Sequence, residues 1–230
     1  MAEYEGRELW WRWVLANARG AVLGGSIGLV LALPFFFVCG YYSIMFAPLV
    51  GGLVFGIVVS GTQSLFLWPF SGHAWTVLSV LGGLIALPLG AIAGGGGQLN
   101  IPGWIVCGLV GGAVVGLAQW LVLRTIYPRA GNWVLANAGA WAVGVAGAQV
   151  LYALIFGAEG YYGTSADGIG GFVLYFVALP LARSMIAVVL AAAITGGALL
   201  GLQHEVAADK PVRPQDQGDV PSLSGPVSGR

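Results

Sequence analysis

The stretch Gly108–Trp141, GLVGGAVVGLAQWLVLRTIYPRAGNWVLANAGAW, decides the fold. It opens as an apolar run with a glycine at every fourth place, Gly108, Gly112 and Gly116. That run ends on Gln119-Trp120, and the chain then turns through Arg124, Pro128 and Arg129. A second apolar run begins at Trp133. This is the grammar of one membrane helix ending, a short basic turn, and the next helix starting.

Pieces of the stretch recur along the chain. WVLANA stands unchanged at Trp13–Ala18 and Trp133–Ala138, and a weaker copy, WTVLSV, begins at Trp75. Each copy opens an odd-numbered apolar run. The complementary piece closes the even-numbered runs: Gly52, Gly56 and Ser60 with Gln63 match Gly108, Gly112 and Gly116 with Gln119. The last run offers Ala193, Gly197 and Gly201, followed by Gln203.

Composition supports the membrane reading. Of 230 residues, 58% are apolar and only 8% charged, with 39 glycines, whereas about a quarter of the residues in soluble domains are charged. The beginning, MAEYEGRELWWRW, is acidic and aromatic, which argues against a cleavable signal peptide. A net charge of zero gives no footing for a nucleic-acid partner. The partners this composition implies are the lipid bilayer and a membrane-protein complex.

A membrane helix needs about 20 apolar residues. Such spans run near Trp13–Cys39, Ile44–Leu67, Ala74–Ala93, Pro102–Leu123, Trp133–Phe156 and Phe172–Leu202. Pro180, followed by Arg183 and Ser184, interrupts the last, which is either continuous or a short entering segment before a spanning helix. The expected fold is therefore an all-α membrane protein: six transmembrane helices as three consecutive parallel-repeat helical hairpins, 13–67, 74–123 and 133–203. They form a closed quasi-threefold bundle or a row. A cytoplasmic segment, 1–12, precedes this 13–203 domain. Residues 204–230, rich in Pro, Ser, Gly and Asp, follow as a disordered cytoplasmic tail.

Orientation follows from Lys and Arg. One side receives the N-terminus, the turns at 68–73 and 124–132, and the tail, with Arg7, Arg12, Arg124, Arg129, Lys210, Arg213 and Arg230. The opposite loops, near 40–43, 94–101 and 157–171, hold only Glu159 and Asp167 as charges. The positive-inside rule then gives an integral protein of the cytoplasmic (inner) membrane with both termini in the cytoplasm. Trp10, Trp11, Trp13, Trp68, Trp75, Trp120 and Trp133 cluster at the cytoplasmic helix ends, where an aromatic belt among headgroups is expected.

In lipid no hydrophobic force drives helix against helix, so small residues must permit close backbone approach. The candidate packing positions are Gly20, Gly24 and Gly28 on the first helix, Gly52 and Gly56 on the second, Gly108, Gly112 and Gly116 on the fourth, and Gly197 and Gly201 on the last. Buried amides need partners. Asn17 and Asn137 lie four residues past their tryptophans, about 6 Å along a helix, and Gln63 and Gln119 lie near the same level. Ser79 is the residue of the second hairpin aligned with the asparagines; at the glutamine position of the last run, three residues past Gly201, stands His204, with Gln203 one place short. Pairing of Asn with Gln between neighbouring helices makes a polar layer that is either structural or a binding surface.

Two charges fall at membrane depth, Arg19 and Arg183. Arg19 either snorkels to the cytoplasmic surface or points inward; Arg183 either marks the outer interface or pairs with Glu159 or Asp167. No catalytic constellation emerges. Gly24-Gly25-Ser26-Ile27-Gly28 matches GxSxG, but within a membrane helix, and the histidines, His73 and His204, fall at cytoplasmic helix ends. Gly94–Gln98, GGGGQ, lacks the Lys-Ser/Thr of a phosphate loop. Cys39 and Cys107 have no CxxC or histidine neighbours, so no metal is expected; they are packing residues or a disulfide. No cofactor is implied.

QWLVLR at Gln119–Arg124, the WVLAN boxes and the closing AAITGGALLGLQ resemble a group of bacterial polytopic membrane proteins, common in cyanobacteria and filamentous phototrophs, built from such hairpins. The resemblance spans about residues 10 to 204 and implies an architecture and no activity. The expected function is that of a non-enzymatic integral membrane protein, a structural or accessory subunit of a membrane complex. The alternative is a small-solute transporter or channel using the Asn/Gln layer; a weaker one is pigment or lipid binding.

Overall fold

The computed structural model describes residues 6–38, 43–67, 72–94, 100–127, 129–156 and 179–208. They form α1 (Gly6–Val38), α2 (Ser43–Leu67), α3 (Gly72–Ala93), α4 (Ile101–Leu123), α5 (Asn132–Phe156) and α6 (Leu179–Ala208). Five of them are long and apolar enough to cross a membrane; in α2 the corresponding apolar segment, Val50–Leu65, is shorter. Among the described residues there is no strand. Each helix packs on the next in chain order and α6 returns to α1, so the neighbour pairs close a ring.

Local chemistry sets the helix ends. Asn100 caps α4: its side chain accepts from the Gly103 N–H at 2.9 Å, and Pro102 occupies the first turn, where its missing N–H is no loss. Pro34 and Pro88 lie inside α1 and α3. Pro180 is the second described residue of α6, and from there the helix runs unbroken past Arg183 and Ser184. Of the expected entering segment, Phe172–Leu179, only Leu179 belongs to the described residues. The helices reach further at the termini than the apolar pattern suggests. α1 takes in residues 6–12, with Leu9 buried, and α6 continues through 204–208.

Glycine positions divide into two sets. A Cβ on Gly28 would stand 2.7 Å from Gly51 O, and one on Gly24 3.1 Å from Phe55 Cα, both on α2. Gly20 meets Thr62 and Val59 of the same helix. On α4, a Cβ at Gly108 would lie 2.6 Å from Ala142 Cα, at Gly112 2.6 Å from Asn137 O, and at Gly116 2.9 Å from Asn137 Cβ, all on α5. At Gly56, Gly197 and Gly201 nothing among the described residues lies within 4 Å. Gly52 is half-buried.

The aromatic-belt expectation is overturned for three of the tryptophans. Trp13, Trp75 and Trp133 are 1%, 0% and 1% exposed, packed inside the protein. Trp11 is half exposed, as a belt residue would be. Trp68 lies outside the described residues. The reason for burial is that each of the three indole N–H groups finds an acceptor on a neighbouring helix, which removes the need for headgroup water.

Candidate functional site

Trp13 lies two turns into α1, Trp75 and Trp133 lie in the first turn of α3 and α5, and the three rings meet at one end of the bundle. Centroids are 6.1 to 6.4 Å apart, and each pair packs edge to face at 60° to 79°. Such pairs add about 0.5–1.5 kcal/mol each beyond area burial. The α4–α5 turn folds over this triangle, burying Leu123, Ala130 and Tyr127 against it, while Leu199 and Leu202 of α6 complete the cluster. Arg124 remains at the surface and lies over the Trp120 ring, 4.9 Å from its centroid.

A run of side-chain hydrogen bonds surrounds the triangle. Gln63 Nε2 donates to Asn17 Oδ1 at 2.6 Å, and Gln63 Oε1 accepts from Trp75 Nε1 at 3.0 Å. One amide thus ties α2 back to α1 and forward to α3. Gln119 repeats the pattern. Its Nε2 donates to Ser79 Oγ on α3 at 3.1 Å, and its Oε1 accepts from Trp133 Nε1 on α5 at 2.9 Å. Asn17 Nδ2 donates to the Trp13 carbonyl one turn back, at 2.9 Å. Asn17, Gln63, Gln119 and Asn137 are all buried, so each paired amide atom escapes the penalty of an orphaned polar group.

The third corner differs. Trp13 Nε1 donates to Thr195 Oγ1 of α6 at 3.1 Å, and Trp10 Nε1 to the Ala193 carbonyl at 2.8 Å. Thr195, 5% exposed, therefore stands where Gln63 and Gln119 stand on α2 and α4. Gln203 and His204, the sequence candidates, belong to the following turns of α6, and His204 is exposed. Thr195 was missed because no glutamine marks it and the Gly197/Gly201 spacing directs the alignment past it.

A threonine is shorter than a glutamine. Its hydroxyl serves Trp13 and donates back to the Ala191 carbonyl at 3.0 Å, so it does not extend to α5. Asn137 is left with two long contacts from Nδ2, to Gln119 Oε1 and to the Trp133 carbonyl, both at 3.4 Å. Among the described residues the bonds of this layer run from α6 through α1 to α5 and stop there. A cleft of about 240 Å³ lies at that break, lined by Asn132, Trp133 and Ala136 of α5 and Ala198, Gly201 and Leu202 of α6.

The remaining candidates are scattered. Ser26 lies on the outer face of α1, and His73 and His204 are exposed at helix ends, so among the described residues Ser26 meets neither histidine. Among the described residues no three His, Cys, Asp or Glu side chains gather. Cys107 is half-buried against Gly90; Cys39, and with it the possible disulfide, lies outside the described residues. Arg183 lies over the Tyr152 ring, 3.9 Å from its centroid, near the start of α6 and about three turns before Thr195; Glu159 and Asp167 fall outside the described residues. Arg19 lies on the exposed face of α1. A comparison of the chain with protein-family models, curated proteins and solved structures gives no match.

Proposed function

We propose that this chain is a non-enzymatic integral membrane protein that serves as a structural or accessory subunit of a larger membrane complex. The observation that carries the reading is the tryptophan triangle with its surrounding amides. A conduit needs polar groups free to exchange partners with a passing solute. Here the acceptors of Gln63 and Gln119 are already held by indole N–H groups, and three interlocked rings with the α4–α5 turn fill the axis. Such a layer holds helices together; it has nothing to offer a solute. That weighs against the transporter alternative.

The same geometry supports reading the helices as three repeated hairpins. In each, a tryptophan at the start of the odd helix donates to the even helix of the preceding hairpin, with α6 preceding α1 around the ring. The basic turn between α4 and α5 then faces the cytoplasm, as do both termini. Partner contact falls to the outside, where Gly56, Gly197 and Gly201 leave open surface for another helix's backbone.

Purification of the tagged full chain from its native membrane in mild detergent tests the reading. A partner recovered in fixed stoichiometry is the expected result. A chain recovered alone, which carries solute flux when reconstituted into sealed vesicles, would overturn it.

A further inference from the structure

Arg19 differs from Arg12, Arg124 and Arg183. Arg12, two turns earlier, is neutralised by Glu8, with Nη2 to Oε1 at 2.7 Å. Arg124 and Arg183 lie over aromatic rings. Among the described residues Arg19 has no ion pair, hydrogen bond or ring contact. It stands on the exposed face of α1 between Leu15 and Leu23, one turn to either side, both about half exposed.

Beside it runs an apolar groove of about 280 Å³ between α1 and α6, lined by Ala18, Ala21 and Val22 on one wall and Met185, Ile186 and Val189 on the other. Helical geometry sets Arg19 on the rim: Val22, three residues on, is its neighbour on the helix surface. A helical side chain leans toward the N-terminus of its helix. The guanidinium therefore rises from the groove toward the level of Trp13, with its methylene stem along apolar surface.

A guanidinium on a face bathed in hydrocarbon must be met by an anion or by water. At this place the anion that the bilayer itself supplies is a headgroup phosphate, whose oxygens match the guanidinium fork. We propose that Arg19 and the α1/α6 groove bind one anionic phospholipid, with the phosphate on Arg19 and an acyl chain along Val22 and Val189. The proposal rests on the membrane reading of the chain.

Native mass spectrometry of the full chain, offered equal amounts of phosphatidylglycerol and phosphatidylcholine in detergent, tests it. Wild type should retain phosphatidylglycerol preferentially, and excess inorganic phosphate should not displace it. Arg19→Gln should weaken retention about tenfold, the loss expected for one charge-assisted contact, and Arg19→Lys should restore part of it. Val189→Trp, which fills the groove at an already exposed position, should weaken retention with Arg19 intact. Equal retention of the two lipids, wild-type retention by Arg19→Gln, or displacement by phosphate would overturn the proposal. So would a partner protein that cross-links stoichiometrically through Arg19→Cys while the two lipids bind alike. Carbonate extraction separates the failures: a chain released from membranes by carbonate sinks the membrane reading and this proposal with it, whereas a chain that stays embedded without lipid preference sinks the proposal alone.

Discussion

Gln63 stands between Asn17 and Trp75 with both ends of its amide engaged, and the shorter of the two bonds, 2.6 Å, runs to Asn17. Gln63→Leu keeps the size of the side chain and strips both bonds, leaving Asn17 Oδ1 and Trp75 Nε1 buried without partners. The expected cost is about 2 kcal/mol, from a range of roughly 1–3 for an orphaned buried group. A double-mutant cycle with Asn17→Ala should return a coupling of about 0.6–1.7 kcal/mol, because the unfolded chain in a membrane also finds partners. Unfolding of detergent-solubilised protein measures both; additive losses would show that the two amides do not interact.

Thr195→Val isolates the third corner. Valine fills the same space but cannot accept from Trp13 Nε1, which at 1% exposure has no water to turn to. The expected loss is about 1–2 kcal/mol, and Thr195→Ser, which keeps the hydroxyl, should lose less. The same substitution at Thr125, exposed in the α4–α5 turn, should stay within about 0.5 kcal/mol. Equal effects at the two positions would remove Thr195 from the layer.

This corner also shows how much of the molecule the sequence discloses. The apolar spans are legible because a bilayer crossing demands about 20 apolar residues, and five of the described helices meet that demand. Asn17, Gln63, Gln119 and Asn137 are legible as a layer because amides at depth are few and lie at matched distances from helix ends. Thr195 is not legible, since a hydroxyl can satisfy itself on its own helix and leaves no pattern. The buried tryptophans are hidden for another reason. A tryptophan at a helix start looks the same whether its N–H meets headgroup water or an amide on the next helix; only packing decides.

Gly112→Leu places a branched side chain where even a Cβ would stand 2.6 Å from Asn137 O and 2.8 Å from Trp141 Cβ. Backbone cannot yield as a side-chain tip does, so α4 must separate from α5 and carry Gln119 away from Trp133. Loss of the folded species, read as aggregation on size-exclusion chromatography, is expected. Gly197→Ala is the control: nothing among the described residues lies within 4 Å, and removing a helical glycine gains up to about 1 kcal/mol. A Gly112→Leu protein that elutes and melts like wild type would show that α4 and α5 do not pack through this stripe.

Crossing and orientation can be tested on one helix. α4 contains 23 residues, Ile101 to Leu123, and at about 1.5 Å per residue it is roughly 34 Å long, enough for a hydrocarbon core of about 30 Å. Ile101, its first residue, and Thr125, just beyond its end, are both exposed. In a background with Cys39 and Cys107 replaced by alanine, Ile101→Cys should react with a membrane-impermeant maleimide in intact cells. Thr125→Cys should react only after permeabilisation under the proposed orientation, in which the turn bearing Arg124 and Arg129 is cytoplasmic. Reversed labelling would invert the proposed orientation while leaving the crossing by α4 in place. Labelling of both from the same side would mean that α4 does not span, and the tryptophan layer, which joins α4 to α5 through Gln119 and Trp133, could not lie at a membrane surface.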